Sequence, residues 1–166
     1  MTEEIFDVCD AEDHVIGQAP RSVVHRDKLL HRAVHVFVFN SQEELLVQVR
    51  SVTKDEFPLC YTSSASGHLC TGEDYLEAAQ RELEEEIGLV APLEFMGKFS
   101  ASEEFAWEHT VLYRVRSDQE PRPDPVEISA MLRFSMPDLL QHLTEQPAKF
   151  SPPFRKLVEW HAKTNP

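Results

Sequence analysis

Glu82, Glu85 and Glu86 fall close together in the segment GHLCTGEDYLEAAQRELEEEIGL, residues 67–89. At about 100° per residue, a helix turns Ala79, Leu83, Leu76 and Ile87 into one apolar stripe. The three glutamates form a fan along the edge of that stripe, while Glu77 and Glu84 point to the far side. Like charges at i+3 and i+4 cost a few tenths of a kcal/mol each. Glu85 and Glu86 also sit in the last turn, at the negative end of the macrodipole, for roughly 0.3–1 kcal/mol apiece. A bound divalent cation reverses the sign of that cost. Oxygen-only donors select a hard ion, so Mg²⁺ or Mn²⁺ is expected rather than Zn²⁺. A glutamate run in an acidic chain is ordinarily a solvated face. That reading suits Glu77 and Glu84 better than the three that border the stripe.

Other groups could join this chemistry. Residues 21–35 (RSVVHRDKLLHRAVH) form a basic island suited either to substrate phosphates or to surface charge balance. His25, His31, His35 and His68 are numerous enough for a second metal centre, although His35, inside a strand pattern, reads as structural. Arg81 either braces a neighbouring glutamate or forms an ordinary i, i+4 pair with Glu77. Gly67 precedes an acidic loop and permits close backbone approach. Glu127 is a candidate supplementary base, with Glu103, Glu104 and Glu108 as weaker acidic candidates. Phe105, Trp107, Phe150 and Trp160 could stack a base or fill a core, packing being the commoner fate.

Strands and helices must position these groups. The pattern predicts strands over 5–9, 33–40, 45–50, 93–99 and 110–116, with a turn at 40–43 making a hairpin. A further strand over 126–132 would carry Glu127. Ser22 is expected to cap a short turn through His25. The strongest helix runs over 74–87 and ends at Gly88. Two more follow Ser135 and Ser151, the last over about 152–163. Elements interleave without a regular βαβ rhythm, which favours an α/β (α+β) sandwich with a mixed sheet.

The chain has 166 residues and a formal charge of -13. One domain spanning 1–166 is expected at that length. The charge argues against a nucleic-acid polymer or an anionic membrane as partner. It does not argue against a small anionic substrate brought in with a cation. No apolar run is long enough to span a bilayer, and the acidic N-terminus lacks a secretory h-region. Cys9, Cys60 and Cys70 make no CxxC pair and read as reduced thiols, so a cytoplasmic setting is expected.

Gly67, five residues, Glu73, seven residues, Arg81-Glu82-Leu83, one residue, Glu85-Glu86, one residue, Gly88-Leu89 resembles the complete Nudix box. The resemblance implies a Nudix-like α/β/α sandwich and a MutT-like, divalent-metal-dependent hydrolase. Its substrate would be a nucleoside diphosphate linked to another moiety. Glu82, Glu85 and Glu86 would bind Mg²⁺ or Mn²⁺, with Gly67 and Glu73 contributing from the loop. Arg81 would brace the box, and Glu127 would stand where some members take a supplementary base. The residues before the box are similar to the isopentenyl-diphosphate isomerase branch. Its histidines, matched here by His25, His31 and His68, bind a metal. Its catalytic cysteine is replaced by Ser66, and its Glu-x-Glu pair falls roughly at Trp107-Glu108-His109. A serine lacks a thiol's acidity. The resemblance therefore implies a hydrolase on an isomerase-like frame, with an isomerase-like enzyme or a non-catalytic nucleotide-binding domain as alternatives. A homodimer fits the base rate.

Overall fold

The computed structural model describes residues 2–165; the expected domain span therefore includes Met1 and Pro166, which lie outside the described residues. Strands β1 (Ile5–Cys9) and β2 (Val15–Pro20) form a separate antiparallel pair. Helix α1 (Arg21–Arg26) follows directly. Strand β3 (His31–Phe39) is the central strand, followed by β4 (Leu45–Arg50), β5 (Tyr61–Thr62) and β6 (Ala65–His68). Then come α2 (Tyr75–Ile87), β7 (Glu94–Phe99), β8 (Glu108–Arg116), β9 (Ile128–Phe134), α3 (Met136–Glu145) and α4 (Pro152–Thr164).

The main sheet is mixed. β8 runs parallel to β3 along its whole length, and β7 is antiparallel to β8. The expected 33–50 hairpin is paired only at Phe39↔Leu45. Beyond that point β3 and β4 splay. β6 takes the free edge of β3 at residues 33–36, and β5 pairs with β4 at Gln48 and Val49. β9 pairs with the other edge of β4. The splay leaves a cleft floored by β5 and β6.

β3 is apolar on both faces because both are covered. Val34, Val36 and Val38 pack with Ala79, Leu83 and Ile87 of α2. Phe37, Phe39 and Leu45 pack with Phe154, Leu157 and Val158 of α4 on the opposite face. This is the expected α/β/α sandwich. Among the described residues no helix is long and apolar enough to cross a membrane.

Several local readings need correction. β2 escaped notice because its residues are largely exposed and leave no apolar alternation. Ser22 lies inside α1, whose N-cap is Pro20 with no side-chain cap. Ser151 does sit at the N-cap of α4 but makes no capping bond; its hydroxyl bonds Thr62 Oγ1 at 3.2 Å instead. Glu127 lies in the turn before β9 rather than in a strand. Leu76 is 43% exposed, whereas Ala78 is fully buried and Tyr75, in the same first turn, packs against the core. The buried arc is thus rotated towards the carboxylates.

Candidate active site

The box is a loop, a helix and a left-handed stop. Asp74 caps α2 through Glu77 N, and the Glu77 carboxylate returns the bond to Asp74 N. Gly88 ends the helix at φ 67°. Occupied in this capping box, Glu77 does not pair with Arg81. Arg81 turns the other way, to Glu73 at 2.8 and 2.9 Å, Glu82 at 2.6 Å and the His68 carbonyl at 3.1 Å. The bracing alternative is the one realised.

Gly67, Arg81, Glu82, Glu85 and Glu86 converge on one cavity of about 270 Å³, joined by Glu127. The rotation of the helix grades their exposure. Glu86 is 6% exposed and accepts from Ser66 N at 2.7 Å and Gln48 Nε2 at 3.3 Å. Glu82 presses against the backbone of Gly67, so close that a Cβ there would stand 2.2 Å from its Oε1. The Glu85 side chain is 62% exposed and has one long contact, 3.4 Å, to Arg81. Burial pushes Glu82 up to about 7 and Glu86 up to about 8, the latter reinforced by the neighbouring charge of Glu82. Two such acids side by side are a donor set that lacks positive charge. Arg81 is shared with Glu73, and Glu86 has only neutral hydrogen-bond partners. A hard cation fits them.

Glu73 is placed otherwise than expected. It stands outside the cavity, with both oxygens held by Arg81 and one also taken by Cys70 N at 2.9 Å. It positions Arg81. Glu127 lines the cavity and is ion-paired to Lys54. Of the arginines and lysine of the basic island, Arg21 lines the cavity, and His35 lines it from the island's far end. Arg26 pairs with Asp27 and Arg32 with Asp13, while Lys28 lies over Trp107. Sequence reading missed Arg50, at the end of β4, and Lys54, in the stretch joining β4 to β5; neither bears a motif.

A second cluster stands beside the first. The ring nitrogens of His25, His31 and His68 lie within 4.8 Å of one another. His68 reaches the cavity and the other two stand behind it. His31 Nδ1 bonds the Leu29 carbonyl at 2.8 Å, which leaves Nε2 as the inward acceptor. His25 Nε2 and His31 Nε2 are buried without a hydrogen-bond partner among the described residues. Glu108, buried, is 2.8 Å from His68 Nε2 and 3.7 Å from His31 Nε2. Burial raises Glu108, but the His31 and His68 imidazoles outweigh it and hold the carboxyl well below its usual range. Phe6 covers the group, stacked 5.8 Å from the His31 ring. Glu104 pairs with Lys156 far along the sequence, and neither it nor Glu103 lines the cavity.

The aromatics expected as a base-stacking set do not line the cavity. Phe105 and Phe150 are buried in the second core cluster, with Trp160 packed against it. All three cysteines are free. Ser66, opposite His35 on β3, offers a hydroxyl at the cavity wall where the isomerase branch has a thiol.

A two-cluster site in an α/β/α sandwich, with one set of carboxylates on a loop–helix–loop, defines a Nudix-type centre. The NUDIX domain family matches residues 29–160, and the chain belongs to that family. An isopentenyl-diphosphate Delta-isomerase from Serratia proteamaculans is 33% identical over 156 residues, covering 90% of this chain and 86% of the relative. Another from Halorhodospira halophila is 35% identical over 162 residues, covering 92% and 91%. An uncharacterized Nudix hydrolase from a Nostoc species is 38% identical over 122 residues, covering 71% and 72%. A crystal structure from Deinococcus radiodurans superposes with a TM-score of 0.84 at 27% identity, over 95% of this chain and 98% of that one.

Proposed function

We propose that this chain is a divalent-metal-dependent hydrolase of a diphosphate linkage in a small molecule, with Mg²⁺ or Mn²⁺ held by Glu82, Glu85 and Glu86 beside Gly67. The observation that carries this reading is the convergence of those residues on one cavity, with Arg81 bracing them. When bound, the ion polarises the diphosphate, neutralises developing charge and lowers the pKa of an attacking water. Glu86 is buried and Glu82 is tied to Arg81, so these two ligands are fixed in place. Glu85, exposed and loosely tied, is the carboxylate free to accept a proton from water. Arg21, Arg50 and Lys54 face the phosphates from the other walls. Glu127 serves as a supplementary group once Lys54 turns to substrate.

The His25–His31–His68 group with Glu108 fits a second cation. Two inward nitrogens lack a hydrogen-bond partner among the described residues, and a third ring faces a buried carboxylate. The same group and the names of full-length relatives favour the isomerase reading as the second one. Ser66 weighs against it. The test is a phosphate-release screen on diphosphate derivatives, with and without Mg²⁺, against a Glu85→Gln/Glu86→Gln protein. Mg²⁺-dependent turnover lost in that protein supports the hydrolase. Metal binding without release, with isomerisation of isopentenyl diphosphate, overturns it.

A further inference from the structure

We propose that the inner end of the cavity, formed by His35, Thr62, Ser66 and Ser151, is a specificity subsite for the non-phosphate part of the substrate. That part would be small, hydroxylated and non-aromatic. The proposal rests on the hydrolase reading of the same cavity.

The cavity is graded. It opens to solvent at Glu85, whose side chain is 62% exposed, and buries Glu86 and Glu108, each 6% exposed. Its inner residues are buried: His35 is 5%, Thr62 2% and Ser151 3% exposed. These three are polar, and two bonded pairs fix them. His35 Nδ1 lies 2.7 Å from Ser63 Oγ, and Thr62 Oγ1 lies 3.2 Å from Ser151 Oγ. The Ser151 N–H donates to the Tyr61 carbonyl at 3.0 Å, which clamps the start of α4 onto β5. His35 Nε2 has no hydrogen-bond partner among the described residues, and its ring lines the cavity. Burial pushes the imidazole down to about 4, so it meets a ligand neutral, with one donor and one acceptor nitrogen.

An inner end of this kind rejects an alkyl group, which would leave His35 Nε2 and the Ser66 hydroxyl, neither bonded to a described residue, without a polar partner. Sites built to bond a hydroxyl discriminate strongly against partners that lack it. A nucleobase is disfavoured for a different reason. Phe57 is the one phenyl or indole ring on the wall, among the described residues.

The experiment compares two diphosphates of opposite character, 5-phosphoribosyl 1-diphosphate and isopentenyl diphosphate, on the full chain. Hydrolysis is followed with Mg²⁺, and binding is followed by calorimetry with Ca²⁺ in its place. The hydroxylated probe is expected to lead by at least 100-fold in kcat/KM and to bind more tightly. In Thr62→Val and in His35→Leu the ratio should fall at least tenfold, through KM. A ratio near one in the parent protein, or one that neither folded variant moves, overturns the subsite. Preference in binding without any phosphate release overturns the hydrolase reading and leaves the subsite standing. Binding of neither probe overturns the subsite.

Discussion

Gly67→Ala isolates the contact on which the carboxylate arrangement depends. Gly67 lies in β6, and its backbone is not left-handed; the positive-φ glycines are Gly72 and Gly88. An alanine therefore meets no conformational penalty, only a steric one. Its Cβ would lie 2.2 Å from Glu82 Oε1, 2.3 Å from Cδ and 2.8 Å from Oε2. Restoring van der Waals contact requires a shift of roughly 1 Å. The carboxylate tip must move, because the strand is paired to β3 on one side. Arg81 holds that tip at 2.6 Å, and the Glu82 side chain is only 13% exposed, so the movement disturbs both. Overpacking of this kind costs about 1–3 kcal/mol of stability. A 1 Å misplacement of a reacting or ligating group costs about 100-fold in rate, or some 2.7 kcal/mol. The assay is Mn²⁺ affinity by paramagnetic resonance, with Mg²⁺-dependent kcat/KM beside it. Gly17→Ala is the control, since nothing lies within 4 Å of a Cβ there. A folded Gly67→Ala protein whose metal affinity and kcat/KM stay within threefold of the parent refutes the reasoning.

Arg81→Ala should lower the unfolding free energy by about 2–3 kcal/mol, because it leaves Glu73 and Glu82 without their partner. Saturating Mg²⁺ should shrink that deficit in urea titrations; an equal deficit with and without the ion contradicts the shared role. Glu85→Gln should reduce kcat by at least about 100-fold, the usual scale of general-base loss. Glu127→Gln, which releases Lys54 and removes a supplementary group but not the base, should change kcat/KM by less than about tenfold. Equal losses in the two would assign the base differently. His35 is pushed down to about 4 by burial, against about 6.5 for a free imidazole. Between those values the unfolded chain binds more protons. Stability is therefore full above about pH 6.5 and is lost as pH falls towards 4. Its share is about 2 kcal/mol between pH 7 and 5, read as the difference in slope between the parent and His35→Leu.

Local rules reached the box and stopped at its surroundings. The capping box, the left-handed Gly88 and the amphipathic stripe depend on neighbours within a turn or two, so α2 could be read directly. The sense of the stripe could be read less well. A wheel gives the spacing of side chains but not which arc meets the sheet. Tyr75 packs against the core and Leu76 is exposed, so the buried arc centres nearer Glu86. The Arg81 alternatives could be separated only once Glu77 was seen to be engaged at Asp74. The inner cavity was out of reach. Thr62 and Ser151 are far apart in sequence and meet because α4 starts against β5. The hairpin expected around 40–43 exists at its tip, but a sequence pattern carries no sign that its strands part after one pair. That parting makes the cleft.

The isomerase-like half of the site can be weighed by strand geometry. Residues 108 and 110 of β8 face the same side, and 109 faces the other. Glu108 meets the histidines, whereas His109 turns away and its Nε2 lies 2.8 Å from the Asp10 carbonyl. The partner of Glu108 on its own face is Thr110, whose hydroxyl bonds the Glu108 carbonyl at 3.2 Å. This face thus supplies one carboxylate where a Glu-x-Glu strand supplies two, and Ser66 supplies a hydroxyl in place of a thiol. Both differences remove acidic or ionisable groups from the reacting space. The three glutamates on α2 and their arginine brace are all retained, 2.6 Å at the closest contact. Glu56 stands with Glu108 and His68 as a second carboxylate, contributed from outside β8. The proposed hydrolase reading rests on the α2 glutamates and their brace, which supply what attack of water on phosphorus requires.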